Sequence, residues 1–276
     1  MSTNYSKLLI ASILVLGGTA QAGTGGSAGR IRAAVQSGSQ DAILAEVERA
    51  EYLMCPDCVN VVTDLLDDER PAVREVAAWW FARRPSVAQG FIDRSLQDLQ
   101  GSDVKHARNG ADFIAVFRNV KYIPALSTAL ARTDLGGEAR AHAAIALGRI
   151  GDKSVDSALA NAMKDGDAQV RLAAVQAWIA VRYQQGAAPV VQLVGDSDAN
   201  VRAQAAAALG EEREASGRTN LEAALATDTD AVVRRNAAWA LGRIGDAASR
   251  PALEKASTDP SPLVAMTAKA ALSSLH

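Results

Sequence analysis

Aromatic side chains make up only 4% of this chain of 276 residues. Histidine is nearly as scarce, with only His106, His142 and His276, and Cys55 and Cys58 are the only cysteines. That inventory argues against a four-ligand zinc centre, because no second Cys-x-x-Cys follows the first. Val59 stands where a covalently attached haem would want a histidine. The formal net charge is only -2, so no global excess of basic charge points to nucleic acid or to an acidic membrane surface. No nucleophile elbow, zinc-binding helix motif, phosphate-cradling loop or dinucleotide fingerprint occurs. The carboxylates are too numerous and too evenly spread to single out a catalytic pair, so the chain reads as a non-enzyme without cofactor or metal.

Long hydrophobic runs are absent too. Leu8 to Leu16 is short and apolar, preceded by Lys7, broken by Gly17 and Gly18, and followed by Ala20-Gln21-Ala22. A membrane-spanning helix needs about 20 apolar residues. This segment is shorter and carries the pattern of a cleaved secretory signal. Residues 1–22 are therefore read as a signal peptide and 23–29 as a flexible glycine-rich leader. The mature chain is expected to be periplasmic or secreted, with no stable membrane insertion.

What is plentiful is alanine, which supplies much of the 49% apolar share. Alanine is the best helix former and lets helices approach closely, so an all-α protein in thin layers is expected. The heptapeptide "ALGRIGD" occurs twice, at Ala146–Asp152 and Ala240–Asp246. It belongs to a longer register. Arg74, Arg108, Arg140, Arg171, Arg202, Arg234 and Ala265 are successive anchors, spaced by 34, 32, 31, 31, 32 and 31 residues. Three positions after each anchor stands alanine: Ala77, Ala111, Ala143, Ala174, Ala205, Ala237 and Ala268. Six before stand Asp68, Asp134, Asp165, Asp196, Asp228 and Asp259, with Ser102 the exception. A fixed period of this length signals stacked units, none able to bury its apolar face alone.

The unit resembles a HEAT repeat, of the short alanine-rich kind found in phycobilisome-lyase-like proteins. The likeness rests on pairs such as Asp165 with Arg171, Asp196 with Arg202, and Asp228 with Arg234. It implies two antiparallel helices per unit, piled into a right-handed α-solenoid over residues 67–276. Relatives of that kind attach bilin pigments, but the likeness is confined to the repeat unit, and no catalytic residue carries over.

The physics of the unit agrees. The second helix of each pair opens just after an aspartate, a good cap. Glycines such as Gly148 and Gly242 are expected to close it. Pro124, Pro189 and Pro251 fall near the first turn of the first helices, where proline is tolerated. At 100° per residue, anchor offsets -1, +3, +4, +6, +7 and +10 form the buried side. The anchor arginine lies on its flank. Asp68, Arg74, Arg108, Asp134, Arg140, Asp165, Arg171, Asp196, Arg202, Asp228 and Arg234 are accordingly expected to form an internal ladder of ion pairs, within or between neighbouring units, rather than a binding site.

The opposite side, centred on offset +5, should face solvent on the concave surface. It nevertheless carries Trp79, Phe113, Ile145 and Trp239. Arg83, Phe117, Arg149 and Arg243 fall at offset +9 and His142 at +2. An exposed aromatic and basic stripe marks an interaction surface. The site therefore expected comprises Trp79, Arg83, Phe113, Phe117, His142, Arg149, Trp239 and Arg243. Its partner would be a protein or peptide, with an extended acidic segment the best match.

Residues 30–66 fit the period poorly and read as an N-terminal helical cap carrying "CPDC". Cys55 and Cys58 are read first as a structural disulfide of an exported protein. A thiol–disulfide exchange site is the alternative, since Cys55 lies near a helix start. That alternative would make the chain a redox module on a solenoid.

Overall fold

The computed structural model describes residues 27–52, 56–181 and 186–275. Among these residues every regular element is helical. The chain divides between Arg118 and Asn119 into two compact units.

The first unit holds three helix pairs: α1 (Ala28–Ser37) with α2 (Gln40–Arg49), α3 (Pro56–Leu65) with α4 (Pro71–Ala82), and α5 (Pro85–Gln100) with α6 (Val104–Ala115). Ser27 and Ser39 cap the first two helices by accepting from Arg30 N and Ala42 N. Their alternation with Gly38, at φ 71, makes the tight first hairpin. The α1–α2 segment thus stacks as one more helix pair, with α1 against α3 and α2 against α4.

The second unit holds five pairs: α7 (Ile123–Ala131) with α8 (Gly137–Ile150), α9 (Asp156–Ala162) with α10 (Ala168–Ala180), α11 (Ala188–Leu193) with α12 (Ala199–Glu211), α13 (Arg218–Thr227) with α14 (Ala231–Ile244), and α15 (Arg250–Ala256) with α16 (Pro262–Leu272). The second helices pack in series, α8 on α10, α10 on α12, α12 on α14 and α14 on α16. Pro124, Pro189 and Pro251 stand in the first turns of α7, α11 and α15, as expected.

The register holds at the level of single residues. The alanine three positions after every anchor is fully buried, from Ala77 to Ala268. So is the residue just before the anchor, as at Val73, Val170, Val201, Val233 and Val264. Alanine at the centre keeps the helices close, and valine or leucine around it fills the remaining gap.

The repeated heptapeptide is explained by three separate jobs. Gly148 and Gly242 do not close their helices, contrary to the expectation. A Cβ on Gly148 would stand 2.6 Å from the Ala177 Cα of α10, and one on Gly242 2.8 Å from the Ala271 Cα of α16. They are contact points where consecutive second helices touch backbone to backbone. The helices are closed three residues later by Gly151 and Gly245, left-handed at φ 70 and 79, whose N–H groups donate to the carbonyls of Leu147 and Leu241. Asp152 and Asp246 then cap the short 3-10 turns that open the next pair.

The aspartates also divide their work differently from the expectation. The caps of α10, α12 and α14 are Asp167, Asp198 and Asp230, four positions before the anchor. The aspartates six before it accept instead from the backbone N–H of those capping residues, at 2.8 Å in each case. One aspartate shapes the turn while its neighbour starts the helix.

Candidate functional site

In the second unit the flank arginines bridge neighbouring pairs. Arg171 Nε and Nη2 donate to both oxygens of Asp196, at 2.8 and 2.7 Å. Its Nη1 donates to the carbonyl of Asp165 in its own turn, at 2.8 Å. Arg202 grips Asp228 at 2.7 and 3.0 Å in the same way, and Arg234 grips Asp259 at 2.9 and 3.0 Å. Arg140 pairs with Asp165. Arg171, Arg202 and Arg234 therefore each tie their own turn to the carboxylate of the next unit. Burial pushes the Asp196 and Asp228 carboxyls up, but hydrogen bonds from arginine and backbone outweigh it, and both lie below the usual range. Hydrogen bonds from Arg234 hold Asp259 low as well. With every fork occupied by a carboxylate, this row is structural.

The first unit departs from the expected ladder. Where Ser102 breaks the aspartate series, Arg74 turns to Asp112 on α6, with Nε 2.9 Å from Oδ2. Arg74 still holds the Asp68 and Glu69 carbonyls of its own turn. Arg108 pairs with Glu69. Asp68 is held locally by Arg70 at 2.8 Å, and in the second unit Arg132 holds Asp134 in the same way at 2.6 Å. These four assignments correct the sequence reading. An arginine meets whichever carboxylate the local packing brings within reach.

The expected binding stripe is only partly exposed. Phe113 is 3% exposed and belongs to the core. Its ring lies 6.1 Å from those of both Phe81 and Phe91, and Phe117, beyond the end of α6, packs against it at 5.4 Å. On α6 the position that is alanine or valine in most units is Asp112, turned towards Arg74. The helix is seated with its aromatic position inward. Phe113 therefore leaves the expected stripe, whereas Phe117 is half-buried like Trp79. Trp79 is half-buried, and the Arg83 guanidinium covers its ring at 4.6 Å while pairing with Glu51 at 2.9 Å.

In the second unit His142 and Arg149 are half-buried on α8. Trp239 is 37% exposed. Its indole lies where a Cβ on Gly210 of α12 would stand, within 2.5 Å, so one ring face is seated on a neighbouring helix. Arg243 lies 5.8 Å over the ring. The structure thus preserves two tryptophan–arginine pairs of the expected site, one in each unit.

Sequence reading missed Arg84. It is buried, lies 3.5 Å over the fully buried Trp80 ring, and donates to the carbonyls of Trp80, Ala50 and Glu51. Trp80 Nε1 donates to the Ala50 carbonyl at 2.9 Å. Together they satisfy the end of α2. The signal was present, since Trp80 and Arg84 occupy offsets +6 and +10, both on the buried side. Also missed were Val232, Leu263 and Met266, large apolar side chains exposed on α14 and α16.

Cys58 is fully buried on α3, and among the described residues no cysteine is free. Cys55 lies outside the described residues, as does the segment 1–22 read as a signal peptide. No helix among the described residues is long and apolar enough to cross a membrane, and they contain no cluster of three or more metal-ligating side chains.

Comparison with known proteins agrees with this architecture. A family profile of HEAT repeats matches residues 92–179, 155–240 and 218–275. No curated protein is similar in sequence at a significant level. Among solved structures, YibA of E. coli superposes with a TM-score of 0.53 at 16% identity, covering 88% of this chain and 91% of that one. A chain of the structure describing Kap95p binding to RanGDP gives 0.54 at 13% identity, over 88% of this chain and 41% of that one. The CpcE–CpcF phycocyanin lyase complex of Nostoc sp. PCC7120 gives 0.43 at 20% identity, over 81% and 96%. The all-helical units, their stacked second helices and the matched profile lead to one assignment: this chain belongs to the HEAT-repeat family.

Proposed function

We propose that this chain is an exported, non-enzymatic scaffold that binds a protein or peptide partner along the exposed face of its second helices. Its repeats form a protein-interaction fold, and Kap95p, similar in fold, binds RanGDP. The observation that carries the reading is the pair of accessible indoles, Trp79 and Trp239. Each is covered by an arginine one turn on, at cation–π distance. Tryptophan and arginine dominate binding hot spots, and a seated indole loses little freedom when a partner arrives. The reading of residues 1–22 as a signal supports export, and a Cys55–Cys58 disulfide suits that compartment.

A pull-down from an envelope fraction tests the proposal, comparing wild type with Trp79→Ala and Trp239→Ala. Specific capture by wild type, reduced in at least one variant at unchanged helical content, is the expected result. Equal capture by all three proteins would move the site elsewhere.

A further inference from the structure

Of the five large apolar side chains exposed among the described residues of the second unit, Val120 lies at its start and the other four lie on α14 and α16. Val232 and Trp239 on α14 are 49% and 37% exposed, and Leu263 and Met266 on α16 are 61% and 66% exposed. These helices pack side by side, with Gly242 against Ala271. Val232 and Leu263 occupy the same place in the repeat, two residues before the anchor. The preceding second helices carry Glu138, Gln169 and Asn200 there. The face thus changes from polar to apolar over its last two helices. A cluster of this kind on a soluble surface calls for a partner.

Within the two helices the charge has one sign, and Asp230 caps the start of α14. Neither α14 nor α16 contains a single aspartate or glutamate, and α12 contributes only Glu211 at its end. Elsewhere in this unit the arginines of the ladder are gripped by carboxylates. Arg235 instead donates only to Asn236 Oδ1, at 3.0 and 3.3 Å, and Arg243 lies over Trp239. Neither meets a carboxylate among the described residues. Two guanidinium groups without counter-charges, set among four exposed apolar side chains, are complementary to carboxylates alternating with apolar groups.

We infer that the α14–α16 face is a docking site for an acidic segment of a partner protein, with apolar side chains seated against Trp239, Leu263 and Met266 and carboxylates meeting Arg235 and Arg243. This inference rests on the scaffold reading above and assigns its chemistry and place.

Fluorescence anisotropy with dye-labelled synthetic peptides provides the test. One peptide alternates Glu with Leu, a second Lys with Leu, and a third Glu with Ala. Wild type should bind the first, and the other two at least about tenfold more weakly, a difference of about 1.4 kcal/mol. Raising the salt should weaken binding, since Arg243 is exposed and Arg235 half-buried. Leu263→Glu/Met266→Glu and Arg243→Glu should each lose at least tenfold while keeping wild-type circular dichroism, because the altered side chains are exposed. Equal binding of the Lys–Leu peptide, or unchanged binding by Leu263→Glu/Met266→Glu, would overturn the assignment. So would a wild-type dimer that those two substitutions dissolve without any peptide binding, since a second copy would then cover the face. If Trp79→Ala abolishes Glu–Leu binding while Leu263→Glu/Met266→Glu retains it, the scaffold reading survives and this placement fails. If no peptide binds and the envelope pull-down captures nothing, both fail.

Discussion

Phe113 shows how far one residue can stray from its place in a repeat. Its offset predicted a solvent-facing ring, yet it lies among Phe81, Phe91 and Phe117. Phe113→Ala should therefore act on stability rather than on recognition. Emptying a buried aromatic site costs about 3–5 kcal/mol, which chemical denaturation would read as a lower midpoint. A variant with wild-type stability but no partner capture would return Phe113 to the surface. Arg84 makes the converse point. A buried guanidinium is tolerable because carbonyls of Trp80, Ala50 and Glu51 receive it and Trp80 stacks beneath it.

Among the elements, the second helices depend on close approach. Gly242 meets Ala271 where no Cβ fits, and a larger group must push α14 and α16 apart. Gly242→Val should destabilise the second unit by about 1–3 kcal/mol through overpacking, lowering its melting temperature. An unchanged melting temperature would mean that the two helices separate freely. Much of this level was legible in advance. The helix pairs, the prolines of the first turns and the buried alanines all follow from local propensity and a period of about 31 residues. The glycine roles were not legible, because Gly148 and Gly151 look alike in sequence. Only the neighbouring helix distinguishes a contact from a cap.

For the molecule as a whole, the arginine–aspartate row couples each pair in the second unit to the next. Its pH dependence has a definite sign. Asp196, Asp228 and Asp259 have carboxyls below the usual range. Their contribution is complete above the unfolded carboxyl value of about 3.9. It is lost as pH falls towards and through the lower folded values. The melting temperature should hold between neutral pH and about pH 5 and drop steeply below about pH 4. Asp196→Ala leaves Arg171 without its carboxylate and should cost about 3 kcal/mol at neutral pH. The gap between variant and wild type should close as the acid range is entered. A constant gap across the titration would show that Asp196 contributes through its turn and not through its charge.

The sequence by itself determined the repeat, its pairing of helices and the residues that form its buried stripe, because periodicity and helix propensity act over a few turns of chain. The tertiary structure decided which carboxylate answers each arginine, how α6 is seated around Phe113, and where apolar side chains remain uncovered on α14 and α16. Those outcomes depend on how one helix pair settles on another, and a difference of an ångström or a few degrees there changes the partner of a side chain without changing the pattern that encodes the pair.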